Sequence, residues 1–196
     1  MSDEKPDARE MIGLDGQPVV PFGRGRRRVL KELPGLFRFC SEKVTHPVDG
    51  RASEVLVFEL PDWVTVLAVT PQQEIVLVEQ ERHGTRSLSL ELPGGVVDPG
   101  EAALAAGERE LLEETGYRGR ARMIGRSRVN AALQDNYCHA VLVEDAELVS
   151  EPRLDAGEHL RHHLVGQDEL RRLVREGRLE HSLGLVALAW WDWGRE

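Results

Sequence analysis

Three glutamates near the middle of the chain have the spacing of a shared carboxylate face. Glu110 lies three residues before Glu113 and four before Glu114, and side chains at these spacings share one side of an α-helix. Glu113 and Glu114 also come just before Gly116, in the last turn, where the helix dipole disfavours anions. Carboxylate oxygens suit Mg²⁺ and Mn²⁺, which bind through a few carboxylates and substrate phosphates. The pattern predicts a divalent-metal site; the alternative is a solvated acidic face neutralised by Arg109.

The helix that carries these glutamates has clear boundaries in the sequence. Pro99 and Gly100 precede it, and Gly116 is placed to close it in a left-handed conformation. The alanines and leucines between these boundaries are strong helix formers. Before it lie Gly94 and Gly95, where absent side chains let the backbone approach a metal or phosphate closely. The acidic helix is therefore predicted to lie between two loops.

The stretch from Gly95 to Tyr117 resembles the signature of the Nudix hydrolases at each specified position. It consists of Gly95, five residues, Glu101, seven residues and the run RELLEETGY, which begins at Arg109. The resemblance implies hydrolysis of nucleoside diphosphates linked to a second moiety. It also implies Mg²⁺, or alternatively Mn²⁺, as two or three ions per site. The implied fold is α/β: a Nudix α/β/α sandwich with a mixed sheet, plus an N-terminal antiparallel β hairpin or sheet.

The resemblance also implies roles for individual residues, position by position. The implied metal ligands are Gly94 through its carbonyl, Glu110, Glu113, Glu114 and Glu158. The implied catalytic carboxylates, one of which takes the proton of the attacking water, are Glu113, Glu114 and Glu158, with Asp155 in reserve for Glu158. The residues implied to lock the loop against the helix are Gly95, Glu101 and Arg109.

Two further side chains are predicted to bind substrate. Gln80 and Arg82 end a predicted strand and resemble the Gln-x-Arg of the ADP-ribose pyrophosphatase branch, whose arginine contacts substrate phosphate, a task that suits a planar guanidinium. Glu91 precedes the glycine turn and is predicted to touch substrate or metal, the alternative being a strand-end carboxylate that faces solvent. Gln134 and Asn136 are candidates for reading a sugar or base, although such residues are also common in turns.

Length and charge exclude several classes of protein. The chain has 196 residues, enough for one substantial domain with an elaboration. Its formal net charge of -9 argues against a nucleic-acid or membrane-surface binder, which needs a basic face. No apolar run reaches the length of a membrane span, and the first ten residues are acidic and polar. We therefore expect a cytoplasmic protein, and the resemblance implies that its partner is a nucleotide-type small molecule.

The chain is predicted to have three parts. Residues 1–28, rich in Gly, Pro and charge, are expected to form a flexible arm. Residues 29–60 are expected to form an N-terminal β subdomain, because residues 36–46 and 51–60 favour strands around a turn at 47–50. In the ADP-ribose branch such a sheet packs across a two-fold axis, so the resemblance implies a homodimer. Residues 61–196 are expected to form the Nudix hydrolase domain.

The predicted function is metal-dependent hydrolysis of the pyrophosphate bond of a nucleoside diphosphate linked to another moiety. The expected substrate is ADP-ribose, with AMP and ribose 5-phosphate as products. One alternative is another nucleoside diphosphate sugar, such as GDP-mannose or UDP-glucose. A second, from a different class, is a nucleotide-sensing module without catalysis. No carboxylate of the signature is lost and no basic recognition helix appears, which favours the enzyme.

Overall fold

The computed structural model describes residues 14–157 and 159–194. The chain divides into two compact units, Met1–Glu59 and Leu60–Glu196.

The first unit contains a four-stranded antiparallel sheet. Its strands are β1 (Gly23–Arg24), β2 (Arg28–Leu33), β3 (Phe37–Thr45) and β4 (Ala52–Glu59). The hairpin of β3 and β4 confirms the predicted strands and turn, with Thr45 paired to Ala52. Gly23, Arg24 and Arg28 belong to the sheet, whereas the sequence predicted an arm up to residue 28. Pairing with β3 orders these residues, which local composition does not reveal; residues 1–13 of that arm lie outside the described residues.

The second unit is built on two sheets. Its strands are β5 (Trp63–Ala68), β6 (Glu74–Arg82), β7 (Ser87–Glu91), β8 (Gly94–Val96), β9 (Tyr117–Arg128), β10 (Tyr137–Leu148) and β11 (Leu160–Gly166). One sheet has the order β8-β5-β10-β9 and is mixed, because β5 and β10 run parallel while the other pairs are antiparallel. The second sheet has the order β11-β6-β7 and is antiparallel. β5 and β6 lie inside their sheets and are largely buried.

In the part of the second unit that the structure describes, three helices cover the sheets and enclose two apolar clusters. They are α1 (Ala103–Thr115), α2 (Gln167–Arg175) and α3 (Ser182–Trp193). One cluster joins Leu170 of α2 and Ala187 of α3 to Leu67 of β5, and the other joins Leu111 of α1 to Val66 of β5. Consecutive strand residues point to opposite faces, so β5 separates the two clusters. This arrangement is the predicted α/β/α sandwich.

The acidic helix α1 begins and ends close to where the sequence predicts. Gly116 has φ 75°, and its N–H donates to Leu112 O. A Cβ at Gly116 would lie 1.9 Å from the Ser150 carbonyl oxygen, so only glycine fits this left-handed turn. Gly107 lets the helix approach β10, because a Cβ there would lie 2.9 Å from Cγ2 of Val141. Close packing on the sheet therefore fixes α1 against β5 and β10.

Within the described residues, no helix is long and apolar enough to span a membrane.

Candidate active site

Arg109 is the centre of an ion-pair network on α1. Its Nε and Nη2 donate to the two carboxylate oxygens of Glu101, each at 3.0 Å. Its Nη1 donates to Glu110 at 2.9 Å and to Glu113 at 3.1 Å, and Nη2 also donates to the Val96 carbonyl at 3.0 Å. A single guanidinium thus ties the loop at 96–101 to the helix and holds two of its carboxylates.

This network shifts the pKa values of its members. Hydrogen bonds from Arg109 lower the pKa of the Glu101 carboxyl below its usual range. In return, Glu101 first, and then Glu110 and Glu113, raise the pKa of the Arg109 guanidinium. The described part of α1 has no basic residue in its last turn to offset Glu113 and the next residue, Glu114. Negative charge therefore remains in excess at this end of the helix.

The glycine turn meets the acidic helix directly. The backbone N–H of Gly94 donates to Glu114 Oε2 at 2.9 Å, and Glu114 is 3% exposed. A Cβ at Gly95 would lie 2.3 Å from Glu110 Oε1, and one at Gly94 would lie 2.2 Å from the Val64 carbonyl oxygen. The absent side chains therefore let two carboxylates of α1 reach the backbone of β8.

The donor set of this turn and helix fits a hard divalent cation. Glu110, Glu113 and Glu114 bring hard carboxylate oxygens beside the side-chain-free backbone of Gly94 and Gly95, the chemistry that Mg²⁺ and Mn²⁺ prefer. As these side chains stand, no three acidic, histidine or cysteine side chains of the described residues converge as ligands of one ion. Arg109 binds one oxygen each of Glu110 and Glu113, and the Gly94 N–H binds one oxygen of Glu114.

A second charged cluster lies where β6 ends. Arg82 donates from Nε and Nη2 to the two oxygens of Glu91, each at 2.7 Å. The Glu91 side chain is 1% exposed, whereas the Arg82 side chain is 46% exposed. A bidentate pair of this kind fixes the plane and direction of the guanidinium. The buried carboxylate therefore anchors an arginine that projects into solvent.

Strand register places this pair on the side of the sheet where α1 packs. Glu91 pairs with Val78 across the β6–β7 ladder, and paired residues in an antiparallel ladder share a face. Val76, two residues along β6, lies on the same face and belongs to the apolar cluster that includes Leu111 of α1. Arg82, four residues beyond Val78 with no register shift, therefore lies on the face that carries the acidic helix.

His181, the residue before α3, completes the second cluster. Its Nδ1 lies 3.0 Å from Glu91 Oε2. Burial acts to raise the pKa of Glu91, but the hydrogen bonds from Arg82 and the charges of His181 and Arg82 outweigh it, so the pKa of Glu91 is lowered. Burial also lowers the pKa of His181, against the attraction of Glu91. The cluster at neutral pH therefore combines a carboxylate, a guanidinium and a neutral imidazole.

The remaining predicted site residues are Glu158 with its reserve Asp155, and the loop residues Gln134 and Asn136. Glu158 lies outside the described residues, and its reserve Asp155 is exposed. Asn136 is 2% exposed, and its amide donates to the Pro61 carbonyl at 3.0 Å. Because its side chain is buried and braces the start of β5, Asn136 is not placed to read a sugar or base. Gln134 is half-buried in the same loop.

Sequence reasoning missed His181. Its contact with Glu91 depends on the packing of distant segments of the chain. One local signal was the residue type at the start of α3. Ser, Thr, Asp and Asn are preferred at helix N-caps, whereas α3 has a histidine there, which makes no side-chain capping bond.

Comparison with known proteins agrees with this geometry. A profile of the NUDIX domain matches residues 60–182. The chain belongs to the Nudix family. A Bacillus subtilis ADP-ribose pyrophosphatase is 31% identical over 70% of this chain and 69% of that protein. An Escherichia coli K12 ADP-ribose pyrophosphatase is 24% identical over 92% of this chain and 94% of that protein.

Two further matches extend the comparison. A Streptomyces rubellomurinus hydrolase of CMP-5'-(N-acetyl-N-hydroxy-3-aminopropyl)phosphonate is 31% identical over 75% of this chain and 79% of that protein. The crystal structure of an ADP compounds hydrolase superposes with a TM-score of 0.78 at 18% identity and covers 90% of this chain and 95% of the other. The Nudix fold therefore extends over most of the chain.

Proposed function

We propose that this Nudix protein hydrolyses the pyrophosphate bond of ADP-ribose to give AMP and ribose 5-phosphate. The observation that carries the proposal is the acidic face of α1 beside the glycine turn, on the same side as the projecting Arg82. The ADP-ribose pyrophosphatases of Bacillus subtilis and Escherichia coli K12 among its relatives support this choice of substrate.

A divalent cation is part of this proposal, with Mg²⁺ the first choice and Mn²⁺ the second, as two or three ions per site. Glu110, Glu113 and Glu114 would hold it through their carboxylates, with the Gly94 carbonyl and Glu158 as further ligands. When bound, such a cation neutralises charge on the diphosphate oxygens and lowers the pKa of a coordinated water.

The residues of the chain have separate tasks in the proposed reaction. Arg82 binds the diphosphate and aligns it for attack, and Glu91 fixes the guanidinium in that orientation. One carboxylate among Glu113, Glu114 and Glu158 accepts the proton of the attacking water. Arg109 keeps the loop at 96–101 on the helix, so that the glycine turn and the carboxylates stay together.

A second substrate class has direct support from one relative. The Streptomyces rubellomurinus protein is a hydrolase of a CMP-linked phosphonate, and its match covers slightly more of this chain than that of the Bacillus subtilis protein. In this proposal the residues of the Nudix signature hold the reacting phosphorus groups and do not recognise the nucleoside. A CMP-linked phosphonate is therefore the competing substrate, beside other nucleoside diphosphate sugars.

The test is a comparison of kcat/KM across a panel of substrates. The panel contains ADP-ribose, UDP-glucose, GDP-mannose, a CMP-linked phosphonate and nucleoside triphosphates, each with Mg²⁺, with Mn²⁺ and with chelator. We expect AMP release from ADP-ribose to exceed every other rate by at least about tenfold and to stop in chelator. A higher kcat/KM with another substrate of the panel would overturn the assignment of substrate. Rates that chelator does not affect would overturn the proposed metal requirement.

A homodimer and a cytoplasmic location also stay proposals. The first unit exposes apolar side chains on β2 and in the turn after it, with Val29, Leu30 and Leu33 each more than 40% exposed. Such an apolar surface favours burial against a second copy of the chain. Sedimentation of the wild-type protein and of a Leu30→Lys, Leu33→Lys variant tests the dimer, which the substitutions should dissociate. Fractionation of the cells that produce the protein tests the location.

A further inference from the structure

We infer that His181 is a positioning residue, which holds the Glu91 carboxylate and through it the Arg82 guanidinium toward the substrate diphosphate. This inference rests on the proposed function of Arg82. It adds a residue that lies ninety-nine positions along the chain from Arg82 and outside the Nudix signature.

The first argument is the shape of the cluster. The Glu91 carboxylate is almost fully buried, and both of its oxygens accept from Arg82. His181 Nδ1 lies 3.0 Å from Oε2, in contact with it but without the geometry of a hydrogen bond. The imidazole ring therefore occupies the space on the other side of the carboxylate and limits how far it can turn. Because a bidentate pair fixes the guanidinium plane relative to the carboxylate, anything that turns Glu91 also turns Arg82.

The second argument is the position of His181 on its own helix. A residue at an N-cap usually stabilises the helix through a side-chain oxygen, whereas His181 makes no capping bond. Its Nδ1 is buried and makes no well-directed hydrogen bond among the described residues, so Glu91 Oε2 at 3.0 Å is the polar neighbour that the structure gives it. Helix stability therefore does not explain a histidine at this position, and contact with Glu91 does.

The third argument is the effect of α3 on the strand end. Gly184, on the first turn of α3, packs against Leu92, with a Cβ there 3.6 Å from Leu92 Cγ. Leu92 directly follows Glu91. The start of α3 is thus fixed next to the residue that it would position, and His181 does not need a flexible loop to reach Glu91.

Three substitutions of His181 separate positioning from folding. His181→Ala removes the contact. His181→Ser removes it too, but places a preferred N-cap residue at the start of α3, which keeps the helix stable. His181→Asn keeps an amide donor near the place of Nδ1. His163→Ala is the matched control, since this histidine lies on β11 beside Glu79, at 3.7 Å, on the opposite face of the same sheet.

Kinetics with the best substrate give the first readout. We expect His181→Ala and His181→Ser to raise KM about tenfold with a smaller change in kcat, because the guanidinium that binds the diphosphate loses its fixed orientation. His181→Asn should stay within about threefold of wild type, and His163→Ala should equal it. If His181 were merely structural, His181→Ala would instead lower kcat through loss of folded protein and leave KM unchanged. His181→Ser would then restore kcat. That outcome, or no change in any variant, would overturn the inference.

A second readout does not need turnover and so separates this inference from the proposed function. The Nε–Hε signal of Arg82, assigned in ¹⁵N NMR spectra by its absence in Arg82→Lys, reports whether the guanidinium is held by Glu91. We expect its hydrogen exchange to be about tenfold faster in His181→Ser than in wild type. Equal exchange in the two proteins would overturn the positioning role, whatever substrate the enzyme hydrolyses.

Discussion

The two arginine clusters of the Nudix unit use the same ion pair in opposite ways. At Arg109, one guanidinium binds the carboxylates of Glu101, Glu110 and Glu113, and the Arg109 side chain is 30% exposed. At Arg82, one carboxylate, Glu91, is buried and the Arg82 side chain is 46% exposed. In the first cluster one arginine gathers several carboxylates, of which Glu113 is the most exposed at 40%. In the second the carboxylate is the anchor and the arginine is presented.

The difference shows which charge each cluster can offer to a ligand. The first leaves an excess of carboxylates and so attracts cations, while the second presents a cation and so attracts phosphate. A metal-dependent pyrophosphohydrolase needs both, on one side of the sheet. The comparison also predicts that equal substitutions in the two clusters have unequal consequences.

The largest effect is expected at Glu114. We predict that Glu114→Gln lowers kcat by about a thousandfold, because it removes a charged ligand from the acidic face. The fold should persist, since glutamine can still accept the hydrogen bond from the Gly94 N–H and the change relieves like-charge repulsion. Steady-state kinetics and circular dichroism provide the measurement. Glu108→Gln, on the exposed face of the same helix, is the control and should leave kcat unchanged. If Glu114→Gln were unfolded, the role of Glu114 would be structural and not catalytic.

Arg82→Lys is expected to have the next largest effect. Lysine keeps the charge but cannot bind a carboxylate or a diphosphate in bidentate fashion, so we predict a fall in kcat/KM of about a hundredfold. The melting temperature should change little, because a cation stays beside Glu91. Arg161→Lys, exposed on the neighbouring strand, provides the control. Full activity of Arg82→Lys would remove Arg82 from the phosphate site.

The same exchange at Arg109 should act mainly on stability. Arg109 makes hydrogen bonds to three carboxylates and one carbonyl, which a lysine cannot reproduce. We predict that Arg109→Lys lowers the free energy of unfolding by about 2 kcal/mol, allowing for partial exposure. Added Mg²⁺ should restore part of the loss, because the cation replaces positive charge. Urea denaturation with and without Mg²⁺ measures the loss of unfolding free energy and its recovery. Arg172→Lys, in the exposed network of α2, is the control. An equal loss of unfolding free energy in Arg172→Lys and Arg109→Lys would contradict the prediction.

The smallest effect concerns pH. Because the pKa of His181 is lowered in the folded protein, the unfolded chain binds a proton more readily, and stability is lost as pH falls below about 6.5. Glu91, also with a lowered pKa, adds a further loss below about pH 4.5. The unfolding free energy of His181→Ser should therefore fall less between pH 7 and pH 5 than that of wild type. A steeper fall in the variant would contradict the assigned direction.

The sequence predicted those parts of the molecule whose signals are local. Helix α1, its closing glycine and the β3–β4 hairpin follow from residue periodicity and turn residues, and the structure confirms them. The sequence predicts a glycine turn where the structure has strand β8, because β8 forms only by pairing with β5, about thirty residues earlier in the chain. β1 and β2 were missed for the same reason. The charged residues of the site follow from the signature, and their roles stay predictions. The His181 contact with Glu91 could not be predicted, because it forms only when α3 packs.

The measurement that tests the account most directly is the product analysis of ADP-ribose incubated with the wild-type protein in Mg²⁺. We predict equal amounts of AMP and ribose 5-phosphate in Mg²⁺, and unchanged ADP-ribose in chelator or with Glu114→Gln. Unchanged ADP-ribose with folded wild-type protein and Mg²⁺ would contradict the account, as would products that form equally well in chelator.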